Sequence, residues 1–117
     1  GLESALEELP RIKVKFGSSV YVPGAAVDLN QSVEKAGRVA DVLEFGEFLI
    51  RDGLARVESC GCHLREESLT EDSVALRDDD NYSHVSVWEY KGDDQAPEMH
   101  KESLVFENVT PSQRSYK

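Results

Sequence analysis

Cys60, Gly61, Cys62 and His63 place two thiols and an imidazole within four consecutive residues, and thiolate and imidazole are both good zinc ligands. Structural zinc sites use longer spacers and a second ligand pair, whereas only His84 and His100 remain here as further imidazoles. A cysteine in the core or on an edge strand accounts for the pattern better, so no metal is expected. A disulfide across one glycine would be strained, which favours reduced thiols and a reducing compartment. The acids of DDDNYS, Asp78 to Ser83, resemble the opening of a calcium loop, but the glycine and the bidentate glutamate that such a loop needs do not follow in register. His84, Glu89 and His100, with His63, would be the ligand set of a small cupin-like metal-dependent barrel enzyme. No nucleophile elbow, phosphate loop or HExxH pattern supports that alternative, and the expectation is a protein that is not an enzyme and has no cofactor.

Two aromatic groups could instead bind partners. In HVSVWEYK, Val85 and Val87 alternate with His84, Trp88 and Tyr90, so inward valines would leave these three on the outer face of a strand. Exposed Trp and Tyr there would stack on bases or anchor a protein partner. Phe45, Phe48, Arg51 and Arg56 form a second candidate contact for nucleic acid or protein, although alternation splits them between faces.

The elements that must position these residues read as strands. Leu2, Leu6 and Leu9 have helical spacing until Pro10, which predicts a short helix or arm over residues 1–10. RIKVKF alternates apolar and basic residues as a half-buried strand does, and Val20 to Val22 offers a further short run before Pro23-Gly24. From Gly37, the runs GRVADVLEF, EFLIRDG and LARVESC, with Asp52-Gly53 as a tight turn, predict a three-strand meander. Residues 64–76 support only a short helix or loop, and Asp78 to Asn81 a solvated turn. HVSVWEYK and KESLVFENV suggest a final hairpin across the polar linker GDDQAPEM, and residues 111–117 a flexible tail.

The chain has 117 residues, enough for one core, and this places a single domain at 11–110. Its 23 acidic residues against 13 Lys and Arg give a formal charge of −10, which opposes tight autonomous binding to a phosphate backbone. Leu2, Leu6 and Leu9 are interleaved with glutamates, so no signal peptide is expected, and no run approaches a membrane span.

Gly37-Arg38-Val39, then Ile50-Arg51-Asp52-Gly53, then Ala55-Arg56-Val57-Glu58 resemble successive strand motifs of the oligonucleotide/oligosaccharide-binding (OB) fold. The similarity is to the middle and small subunits of replication protein A and to related telomere-capping and dissolvasome subunits. The resemblance implies a mainly β fold, a small five- to six-stranded antiparallel barrel with short marginal helices. It further implies an accessory subunit of a nuclear genome-maintenance complex (replication, repair or telomere), acting through protein subunits with at most auxiliary single-stranded DNA contact, nuclear or cytosolic and without a membrane partner. A β-sandwich interaction adaptor is a further alternative.

Overall fold

The computed structural model describes residues 1–24, 29–92 and 95–113. It is not a barrel. Two long helices, α1 (Leu2–Ser19) and α2 (Gln31–Ala55), are followed by a 3-10 turn at Glu66–Ser68, a short helix α3 (Asp79–Tyr82) and two strands, β1 (His84–Glu89) and β2 (Glu98–Ser103). The chain divides into two compact units, residues 1–54 and 55–117.

In the first unit, the expected strand RIKVKF is the second half of α1, which runs through Pro10. Proline in a helix interior removes a backbone hydrogen bond and costs roughly 3 kcal/mol. The helix continues because Leu6, Leu9, Lys13 and Phe16, spaced three, four and three residues apart, form its one shielded stripe. Alternation over six residues had hidden that longer period.

The predicted meander from Gly37 to Cys60 is likewise overturned. Nearly all of it is α2, and Asp52-Gly53 lies in that helix's last turn. Asn30 starts α2: its Oδ1 accepts from the Ser32 and Val33 amides at 3.0 and 3.4 Å, satisfying donors that the first turn leaves open. Ala36, Ala40, Leu43, Glu47 and Ile50 are half-buried at alternating spacings of four and three, the period of a helix. Lys13 donates to Glu47 at 2.9 Å and ties α1 to α2. The Lys13 hydrogen bond, followed by the Arg51 hydrogen bond, holds the Glu47 carboxyl below its ordinary range against the opposing effect of burial.

The second unit contains the only sheet among the described residues. β1 and β2 pair antiparallel with Val87 opposite His100 and Trp88 opposite Met99; β1 lies where the first strand of the final hairpin was expected, but the second strand is Glu98–Ser103, beginning inside the expected linker and stopping short of residues 104–109. Residues 56–78 are mostly irregular, held by short bridges at Cys60–His63 and Leu69–Ala75. Asp78 caps α3, its carboxylate accepting from the Asn81 amide at 3.2 Å. Of the expected tail, residues 114–117 lie outside the described residues. Ser112 and Gln113 are tethered: Arg77 donates to the Ser112 carbonyl at 3.1 Å and Gln113 to the Ala75 carbonyl at 2.5 Å.

Candidate functional site

Leu9 is the one buried apolar side chain among the described residues, whereas Glu58, Ser59 and Ser68 of the second unit are buried polar groups. A buried carboxylate is costly unless paired and hydrogen-bonded, and the chain around Glu58 supplies both. Arg56 Nη1 lies 2.5 Å from Glu58 Oε1, and the Asp78 amide donates to Glu58 Oε2 at 2.8 Å. The same guanidinium donates to the carbonyls of Tyr82 at 3.3 Å and His84 at 3.0 Å, and sits over the Tyr82 ring at 5.4 Å. Within the second unit, one Arg–Glu pair therefore joins residues 56–58 to both ends of α3 and to the start of β1.

Ser59, fully buried, extends this knot. Its amide donates to the Leu76 carbonyl at 3.0 Å, and its Oγ accepts from the Arg65 amide at 2.8 Å. Between these anchors, Cys60, Gly61, Cys62 and His63 make a two-residue β-turn. The Cys60 amide donates to the His63 carbonyl at 2.9 Å and the His63 amide to the Cys60 carbonyl at 3.0 Å. Gly61 has φ +60°, the left-handed conformation that the first central residue of a hairpin turn of this kind requires and that glycine adopts without strain. The His63 ring lies across the turn, Nε2 2.8 Å from the Arg56 carbonyl oxygen. Cys60 and Cys62 are free and exposed.

The sequence-derived candidates are dispersed. Phe45, Phe48 and Arg51 lie on α2, where Phe45 is exposed, Phe48 half-buried, and Arg51 donates to Glu47 at 2.9 Å. Arg56, His84, Trp88 and Tyr90 belong to the second unit, in which Arg56 and His84 meet through the His84 carbonyl. The valines of β1 do not point inward as the outer-face reading of His84, Trp88 and Tyr90 required: His84, Ser86 and Trp88 are half-buried while Val85 and Val87 are exposed. Tyr90 follows the strand and is exposed.

Of the metal-enzyme set, Glu89 and His100 do approach each other, with Glu98 as a third group. His100 Nε2 is 2.9 Å from Glu89 Oε2, and Lys91 Nζ is 3.1 Å from both Glu89 and Glu98. Lys91 already supplies a positive charge between the two carboxylates. The His100 hydrogen bond, then that of Lys91, holds the Glu89 carboxyl below its ordinary range, while Glu98 and then Glu89 hold the Lys91 ammonium above its own. His63 and His84 do not join this exposed group. The Arg56–Glu58 knot escaped the sequence reading altogether; the only local sign of it was an Arg and a Glu two residues apart beside Ser59.

The model of the family described as Fumarate reductase flavoprotein C-term matches residues 1–116. No curated protein and no solved structure matches the chain. The match overturns the resemblance to OB-fold subunits of replication protein A, telomere-capping and dissolvasome assemblies, and with it the role in a nuclear genome-maintenance complex. The helical architecture overturns the barrel independently, because α2 occupies the first two strand motifs, Gly37 to Val39 and Ile50 to Gly53, and the third, Ala55 to Glu58, begins at its last residue and is not a strand. The nuclear or cytosolic placement falls as well, since this flavoprotein family is mitochondrial or associated with bacterial membranes. Matched along all but its last residue, the chain belongs to the fumarate reductase flavoprotein C-terminal family.

Proposed function

We propose that this chain is the C-terminal structural domain of a succinate dehydrogenase or fumarate reductase flavoprotein, and that it braces the flavin-bearing remainder of that subunit without itself carrying the reacting groups. The observation that carries the reading is a second stripe on α2. Val39, Val42, Phe45 and Leu49, spaced three, three and four residues apart, are all exposed, on the side of the helix away from Ala36, Ala40, Leu43 and Ile50. A helix apolar on both sides belongs in the interior of a larger fold. Covering the four side chains would contribute several kcal/mol, at about 25 cal/mol per Å² of apolar surface removed from water.

The residues present do not fit a flavin. A flavin site needs an enclosed, largely apolar cradle with a few polar groups free to turn toward the ligand. Here Leu9 is the single buried apolar side chain among the described residues, and Glu58 and Ser59 are turned inward onto Arg56, Asp78 and Arg65. An open groove along α1, lined by Pro10, Arg11, Val14, Lys15 and Ser18, encloses nothing. The flavin is therefore assigned to the remainder of the subunit, which is the protein partner of this reading.

Production of the flavoprotein with Val42→Glu and Leu49→Glu together tests it. Both positions are exposed in this chain, so the chain carrying them keeps its helical circular dichroism while the flavoprotein loses flavin or yield. Unchanged flavin content, or flavin retained by the 117-residue chain alone, would overturn the proposal.

A further inference from the structure

We propose that Cys60 and Cys62 form a dithiol site that exchanges with small disulfides, of which oxidised glutathione is the probe, and stores the oxidation as a disulfide within the turn. The site lies in the second unit and does not depend on the bracing role assigned to α2.

Two features of the turn support it. Both thiols are free and exposed, so a small disulfide reaches either sulfur without opening the fold. The backbone positions that carry the two thiols are also close to one another. Residues separated by one position stand about 7 Å apart at full extension, and a tight turn shortens that distance into the range of about 4.4–6.8 Å that disulfides span between Cα atoms. The turn cannot drift open, because Ser59 before it is fully buried and bonded to Leu76 and Arg65, and the His63 ring after it is bonded to the Arg56 carbonyl. The thiolate is the nucleophile in such an exchange.

The exchange balances in two steps. The Cys60 thiolate attacks one sulfur of oxidised glutathione, forming a mixed disulfide and releasing one glutathione thiolate. The Cys62 thiolate then attacks the Cys60 sulfur, closing the Cys60–Cys62 bond and releasing the second glutathione. The dithiol loses two protons and two electrons, and the small disulfide is reduced to two thiols. A bond across a single glycine is strained, and strained, exposed disulfides are the readily reduced ones. The oxidised turn therefore returns to the dithiol when reduced glutathione is in excess.

The test is intact-mass analysis of the full chain after incubation with oxidised glutathione, quenched in acid. Wild type should lose two hydrogens and pass through a transient single adduct, and dithiothreitol should restore the original mass. Cys62→Ser should stop at a stable adduct on Cys60. An unchanged far-UV spectrum shows that the fold survives in Cys62→Ser. Accumulation of two glutathione adducts on wild type, disulfide-linked dimers without the internal bond, or no reaction while the chain is folded would each overturn the proposal.

Discussion

Replacing Glu58 with alanine tests the buried knot at its centre. The Glu58 side chain is 3 % exposed and its Arg56 partner 19 %, so the pair is largely out of water. Removing one member of a buried ion pair costs about 3–5 kcal/mol, chiefly because the other charge is left without its counterion. Arg56 would keep the Tyr82 and His84 carbonyls, which moves the expected cost to the lower end, about 3 kcal/mol, with the Asp78 amide also losing its acceptor. Urea unfolding followed through Trp88, the only tryptophan and a member of the same unit, reads this directly. With a urea dependence of about 1–3 kcal/mol per M, the midpoint should fall by roughly 1–3 M. Glu58→Gln, which retains an acceptor for the Asp78 amide, should lose about half as much. Glu34→Ala removes only the exposed Glu34–Arg38 pair of α2 and should cost about 0.5 kcal/mol or less. If Glu58→Ala falls no further than Glu34→Ala, the knot does not hold the second unit together.

Three other outcomes follow from the geometry. Glu47 titrates below its ordinary value of 4.5, so the folded state binds fewer protons there than the unfolded one. The Lys13 tie thus contributes fully above that value and is lost as pH falls through the lowered one, and Glu47→Gln should flatten the acid limb of a circular dichroism titration in the same range. Asn30→Ala should cost about 1 kcal/mol and speed amide exchange at Ser32 and Val33, with Asn30→Asp close to wild type. Gly61→Ala should cost about 1–2 kcal/mol through φ +60° alone, since no atom stands within 4 Å of the added methyl; Gly61→Asn should cost less, and thermal melts rank the three.

What could be read from the sequence depended on whether a segment's partners lie nearby in the chain. The first strand of the hairpin and the irregular stretch over residues 64–76 rest on neighbours close in sequence, and composition sufficed for them, whereas the expected turn at Asp78 to Asn81 coils into α3 and the second strand begins earlier than expected. α2 was misread for a specific physical reason. Between Val39 and Ile50 it is apolar on two sides, and superposing its two stripes yields short apolar runs that imitate strands. The Asn30 cap, one residue before the helix, was the local signal against strands there. Burial was harder still to infer. Val85 and Val87 are more apolar than His84 and Ser86, yet it is the latter that are shielded in β1. Arg56 holds the main-chain carbonyls of Tyr82 and His84, and the His84 ring stands 5.9 Å from that of Tyr82, so polar and aromatic contacts rather than apolar burial fix the start of β1. Hydrophobicity alone therefore assigned the wrong face, and the same inversion leaves valines on the outside of the hairpin and thiols on the outside of the neighbouring turn.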